Sequence, residues 1–374
     1  MSKLTDVIKD INKKYKFNIV GKADIKKRDY ATIPFVTPTL TYLFHGGLPR
    51  TILELLGLPS SGKSTVCCSI CGEAQKLFRQ EYQDEVAKLQ AIDKPKASEK
   101  ERLDYLLDRG EQKVVYLDSE FSSDEDWMRL NGVDMDSLLF IAPENQTAEQ
   151  LFQIILDLID TDSVGLVVLD SIPALVSQQA MDKTMEEKTM AGISAPLSVF
   201  CSKLLPQCNK HNCGFIGVNQ IRDDMAGYHQ IVSPGGKMWK HTTSVRMVIR
   251  KGRFYDSSYK ELLAHPEEAY GNYGEIEVIK NKATKPDRRM SKFSITYTKG
   301  IDACNDAFDL GVALHVIEKA GAWYSILDKE TGEPKIDDEG NNLKFQGKQN
   351  FIEYMRNHEQ FTKDLIAEIE EACK

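Results

Sequence analysis

One run of nine residues carries the densest chemistry in the chain. Gly57-Leu58-Pro59-Ser60-Ser61-Gly62-Lys63-Ser64-Thr65 fits G-x-x-x-x-G-K-[ST] without a mismatch. Glycines in such a loop let backbone N–H groups turn inward around a phosphate with no Cβ in the way. Lys63 places a cation on the β- and γ-phosphates of a nucleotide, and the Ser64 hydroxyl completes a Mg²⁺ shell. Two acidic stretches supply what else such a site needs. Lys113-Val114-Val115-Tyr116-Leu117-Asp118-Ser119-Glu120 reads as a strand ending in acids, and a carboxylate there orients the water that attacks a γ-phosphate. Val164-Gly165-Leu166-Val167-Val168-Leu169-Asp170 is an apolar run closed by an acid, the Walker B pattern in which Asp170 holds Mg²⁺ through water. Gln220, at the polar end of Gly214–Gln220, is placed to sense a γ-phosphate by hydrogen bonding. Trp127 is open to two readings, a stacking surface for a base or an ordinary half-buried tryptophan.

These residues need elements to hold them. Thr51–Leu56 is an apolar run suited to a buried strand, and Thr65–Ala74 reads as a helix whose positive dipole end points at the phosphates. Further strands are expected at Ser137–Ala142, Val164–Asp170, Gly214–Gln220, Tyr273–Lys280 and Ser291–Tyr297. Helices are expected at Thr147–Ile159, where Leu151, Ile154, Ile155 and Leu158 share a face, and at Ile193–Cys208. Strand ends of an open α/β sheet are where ligands sit. The charged segment from about Arg79 to Lys113 reads as a solvated helical insertion. From about residue 301 a smaller unit begins, with helix at Asp306–Lys319, then Gly321–Ser325, a turn-rich stretch and closing helices from Asn350. At the other end, Leu4, Ile8 and Ile11 give residues 3–15 a short amphipathic helix. An extended segment at 16–20 and a linker at 21–36 follow. This start is either a grip on a neighbouring subunit or a plain N-terminal cap.

With 374 residues, 41% of them apolar and 28% charged, the chain has enough material for one large domain and a smaller one. A net charge of −8 argues against a general attraction to DNA or anionic membrane, so nucleic-acid binding would need a local basic patch. Lys237, Lys240, His241, Arg246, Arg250, Lys251 and Arg253 are the clearest such concentration. It is either a phosphodiester-binding face or a solvated one. It follows Gly235-Gly236, which close a loop from about 221; an earlier loop runs from about 178 to 192. No apolar run reaches membrane-spanning length, which sets a cytoplasmic location as the expectation. Of the eight cysteines, Cys67, Cys68 and Cys71 lie on the helix after the phosphate loop and read as small buried hydrophobes. The Cys208–Cys213 spacing reads as a helix end before a strand.

From about residue 38 to the end, the chain resembles the RecA family of homologous recombinases. Gly57–Thr65 is similar to its G-P-E-S-S-G-K-T-T, Asp118-Ser119-Glu120 to its D-A-E, and Val167–Ser171 to its Walker B strand. Asn219-Gln220-Ile221-Arg222 is identical to its N-Q-I-R and Lys280-Asn281-Lys282 to its K-N-K. Gly235, Gly236, Lys240 and Ser244-Val245-Arg246 resemble its G-G-N-A-L-K-F-Y-A-S-V-R, and Glu318–Ser325 resembles a C-terminal segment.

The resemblance implies an α/β fold, a RecA-like P-loop ATPase core with a central, mostly parallel sheet flanked by helices. Residues 1–35 would form an N-terminal oligomerisation segment, 36–300 the core and 301–374 a small α+β domain. It implies ATP and Mg²⁺ as cofactors, with Glu120 polarising the attacking water and Asp124 and Trp127 at the adenine. Gln220 would report the γ-phosphate to the loops, and Lys280 and Lys282 would reach a neighbour's ATP across a filament interface. The two loops, with Arg222, Gly235, Gly236 and Lys240, would hold single-stranded DNA. Partners would be single-stranded and homologous double-stranded DNA, further copies of the chain, and single-strand-binding and mediator proteins, with no membrane. The long segment near 80–112 and the enlarged stretch at 326–349 depart from the bacterial pattern. So do Pro196, where the family has a DNA-contacting arginine, and His241, where it has a phenylalanine. A hairpin in the enlarged stretch is similar to phage recombinases of the UvsX type, which leaves two cytoplasmic settings open: a bacterial cell or, for a virus-encoded protein, an infected host. Two rivals remain: a mediator or paralogue with this fold but no strand exchange, and a hexameric helicase-type motor.

Overall fold

The computed structural model describes residues 3–15, 30–184, 192–221, 233–264, 266–328, 331–337 and 340–373. The segment at 16–20, residues 185–191 of the first predicted loop and 222–232 of the second, Arg222 among them, lie outside these residues. An N-terminal unit, Met1–Tyr30, contains the amphipathic helix Lys3–Tyr15. The main unit starts at Ala31, earlier than the expected boundary at residue 36. The reason is local: Thr32–Ile33 pairs antiparallel with Leu48–Pro49, and Ile33 is buried.

Nine strands form the central sheet: β1 (Ile52–Gly57), β2 (Lys113–Asp118), β3 (Leu139–Ile141), β4 (Val164–Asp170), β5 (Gly214–Gln220), β6 (Val245–Tyr255), β7 (Gly271–Asn281), β8 (Met290–Thr296) and β9 (Gly300–Ile301). Their order is β9-β8-β7-β6-β1-β5-β4-β2-β3. The six from β6 to β3 run parallel, and β7, β8 and β9 continue the sheet antiparallel. β1 and β4 are buried along their whole length, as strands covered on both faces must be. This is the α/β architecture expected. β6 was not anticipated as a strand, because its charged residues hide the alternation.

Helix α1 (Lys63–Gln90) packs on one face of the sheet. Its buried positions stop at Phe78, so the rest of this helix, about 42 Å long in all, projects as a charged arm beside α2 (Ala97–Arg109). Short α3 (Glu125–Leu130) follows β2. The other face carries α4 (Ala148–Asp160) and α5 (Ser194–His211), whose Leu151, Phe152, Ile155, Phe200 and Leu204 pack on Val167, Leu169 and Phe215. Thr147 caps α4 with a full capping box to Gln150. After α6 (Gly236–Thr242) and the antiparallel strands, a third core forms. It joins Phe308, Ile317, Phe351, Met355 and Leu365 to Tyr255 and Tyr273 of the sheet. Helices α7 (Ala303–Ala313), α8 (Lys348–Asn357) and α9 (Glu359–Ala372) surround a small antiparallel sheet of 318–320, 323–325 and 344–346. The expected helix through Lys319 therefore ends early. His315 adopts a left-handed backbone (φ 59°), and the amides of Val316 and Ile317 both turn back to the Gly311 carbonyl.

Candidate nucleotide site

Parallel register puts the predicted chemistry on one edge of the sheet. Gly57 at the end of β1 lies opposite Gln220 of β5 and Ile249 of β6, and Asp118 of β2 lies opposite Asp170 of β4. Gly57 has no room for a side chain: a Cβ would stand 2.5 Å from Ser61 Oγ and 2.6 Å from the Ile249 carbonyl. Gly62, at φ +95°, turns the chain into α1, whose first amides face the loop. Lys63 Nζ lies across its own loop and donates to the carbonyls of Leu58 (2.8 Å) and Gly57 (3.2 Å). Burial pushes its amine below the ordinary value, and Asp170 and Glu120 oppose that shift. The Ser61 hydroxyl is buried in the cradle without a hydrogen-bond partner.

The acids converge beside it. Ser64 Oγ donates to Asp170 Oδ2 at 2.8 Å. Burial raises the Asp170 carboxyl above its usual range, while hydrogen bonds from Ser64 and Tyr116 pull it back. Asp118 accepts the backbone amides of Glu120 (3.0 Å), Ser122 (2.9 Å) and Ser123 (2.8 Å), and so shapes the turn that presents Glu120. Ser171 Oγ donates to Glu120 Oε1. A hydroxyl and a carboxylate, both hard oxygen donors next to a phosphate cradle, fit a divalent Mg²⁺ ion. Cys67, Cys68 and Cys71 are buried beneath the loop, and burial pushes the Cys68 thiol up to about 12.

Asp124 caps α3 by accepting the Trp127 amide at 2.7 Å, and the Trp127 indole donates to Thr65 Oγ1 at 3.3 Å. Both residues predicted at the base therefore sit on one helical turn tied to the phosphate loop. The cleft these groups share is about 460 Å³. Pro59–Thr65, Glu120, Trp127, Asp170 and Gln220 line it, and so do Lys251, Asn272, Ile295 and Tyr297, which the sequence reading missed. Tyr297 donates to Asn272 Oδ1 at 3.2 Å. They arrive on β6, β7 and the end of β8, and no local pattern marks them. A larger groove, about 810 Å³, lies between α4 and α5 and carries none of these groups.

Lys280 and Lys282 do not line the cleft of their own chain. Lys280 Nζ donates to the Lys240 (2.6 Å) and His241 (3.1 Å) carbonyls at the end of α6. Burial, Lys282 and Arg246 lower its amine to about 8. Gly235 (φ +102°) and Gly236 (φ +76°) form the left-handed start of α6. The basic run is a correction. It is not one open cationic face, because Arg246 pairs with buried Glu54, Arg250 with Glu277 and Arg253 with Glu261. The neighbouring strands β1 and β7 supply Glu54 and Glu277, and the connection between β6 and β7 supplies Glu261. Among the described residues, no helix is long and apolar enough to cross a membrane.

The family model of the RecA N-terminal domain matches residues 106–302, and that of the RecA C-terminal domain matches residues 305–374. The chain belongs to the RecA family. It is 30% identical over 369 residues to Protein RecA of Staphylococcus carnosus, covering 97% of this chain and 87% of that protein. It is 28% identical to Protein RecA of Ruminococcus albus, over 95% of this chain and 75% of that one. For Protein RecA of Clostridium acetobutylicum the identity is 30%, over 77% and 71%. The protein is thus a RecA-type recombinase. RecA-family proteins are DNA-dependent ATPases that form filaments on DNA.

Proposed function

We propose that this RecA-family protein binds ATP in the cleft above β1, assembles on single-stranded DNA and carries out homologous pairing and strand exchange. The observation that carries the reading is the convergence of Lys63, Ser64, Glu120, Asp170 and Gln220 around one cleft at the strand ends. In this reading the loop amides and Lys63 bind the phosphates, and Asp124, Trp127 and Tyr297 hold the base. Glu120, fixed by Ser171, accepts a proton from water as its oxygen bonds to the γ-phosphorus and the bond to the β-phosphate oxygen breaks. Ser64 and Asp170 would hold Mg²⁺, which neutralises phosphate charge. Gln220 would hydrogen-bond the γ-phosphate and pass its state to the loop that begins beside it.

Lys280 and Lys282 would act in trans: they are absent from their own chain's cleft, and they lie at and just past the end of β7, where Lys280 meets the end of α6. Arg222, Gly235, Gly236 and Lys240 would face single-stranded DNA. With the arginines of β6 paired, the cations left for phosphates are chiefly Lys237 and Lys240. The enlarged stretch at 326–349 contains bridges Leu327 to Pro334 and Ile336 to Asn342, and such small hairpins support kinship with UvsX-type phage recombinases. The test is the ATPase rate with and without single-stranded DNA, together with joint-molecule formation between homologous DNAs. Stimulated hydrolysis with joint molecules is the expected result. Stimulated hydrolysis without them would favour a mediator, and duplex unwinding by closed rings would favour a motor.

A further inference from the structure

Asp170 Oδ2 accepts two hydrogen bonds. One comes from Ser64 at the start of α1, and the other from the Tyr116 hydroxyl on β2, also at 2.8 Å. Tyr116 is 1% exposed, and its ring stacks on Phe140 of β3 at 6.1 Å, nearly parallel. The ring is thus held by packing, while its hydroxyl is aimed at the carboxylate. A carboxylate left alone at a strand end rotates through a broad χ2 well. Two donors on one oxygen remove that freedom, and a bond to a charged acceptor is stronger than one between neutral groups.

We propose that Tyr116 is a positioning residue for ATP hydrolysis: its hydroxyl sets the rotation of the Asp170 carboxylate, so that Asp170 and Ser64 meet the metal–nucleotide complex already aligned. This rests on the reading that Ser64 and Asp170 hold Mg²⁺. Tyr116 touches neither nucleotide nor metal and acts only through Asp170. Outer-shell partners of this kind commonly change metal affinity or activity by about 10–100-fold when removed.

The test is Tyr116→Phe, which keeps the stacked ring and deletes one oxygen. Mg²⁺ is titrated against fixed ATP, with Mg²⁺-dependent nucleotide binding followed by Trp127 fluorescence and hydrolysis followed separately. The half-saturating Mg²⁺ concentration should rise about tenfold, with kcat at saturating Mg²⁺ within about threefold of the parent. In an Asp170→Asn background the same change should add nothing. A midpoint within twofold of the parent, while Asp170→Asn shifts it, overturns the role of Tyr116 and leaves the metal reading intact. If Ser64→Ala and Asp170→Asn also leave the midpoint unmoved, the metal reading fails and the role of Tyr116 fails with it. A Tyr116→Phe protein that melts lower by the same amount with and without Mg²⁺–ATP, with no midpoint shift, assigns the hydroxyl to folding alone and likewise overturns the proposal.

Discussion

Glu54 and Arg246 face each other in register on adjacent parallel strands, Glu54 wholly enclosed and its Oε2 taken by Arg246 Nε. Its other oxygen accepts Asn219 Nδ2 at 2.8 Å. Asn219 also donates to the Pro234 carbonyl at 3.0 Å, and Arg246 Nη2 donates to Ser233 Oγ at 3.2 Å. A buried charge three residues ahead of the phosphate loop is thereby tied to the chain just ahead of Gly235.

Breaking this pair should be costly, since a buried charge stripped of its partner destabilises by about 3–5 kcal/mol. Arg246→Ala is expected to lose that much in urea unfolding. Glu54→Leu with Arg246→Leu should recover most of it. Equal losses in the single and double variants would show that the pair is not the source.

Removing the Lys63 cation should abolish nucleotide binding. Lys63→Ala is expected to show no ATP-dependent change in Trp127 fluorescence and no DNA-stimulated hydrolysis. Ordinary turnover in that variant would refute the assigned loop.

Glu120→Gln keeps the shape and the Ser171 contact but cannot take a proton. It should bind ATP normally, hydrolyse it about 10²–10⁴-fold more slowly, and leave filaments persisting on DNA. Unchanged hydrolysis would mean another group aligns the water.

Lys280 gives a pH signature. Its amine, lowered to about 8, loses its charge as pH rises through that value, whereas an unfolded lysine stays protonated to about 10.4. Between the two the unfolded chain binds more protons, so folding stability rises with pH while the cation proposed to act in trans is lost. DNA-dependent hydrolysis should fall above pH 8 without loss of fold by circular dichroism. Lys280→Arg should flatten that fall, because guanidinium stays charged. A fall of the same size in the arginine variant would exclude Lys280 as its origin.

Much of the site was legible because its chemistry is local. A phosphate cradle is built from consecutive backbone amides, so glycine spacing and the following lysine and serine mark it in the sequence. Apolar runs closed by Asp118 and Asp170 are equally local, and each strand does end at its acid. What the sequence could not determine is which side chains meet across strands. Arg250 counted as a free cation until the β6–β7 pairing set it beside Glu277. Lys251, Asn272 and Tyr297 enter the cleft from strands almost two hundred residues or more beyond the phosphate loop. Nothing local in the sequence marks Tyr116; its hydroxyl meets Asp170 only because β2 is laid against β4. A linear motif records neighbours along the backbone. Sheet order and register decide neighbours across it, and those depend on how the whole core packs.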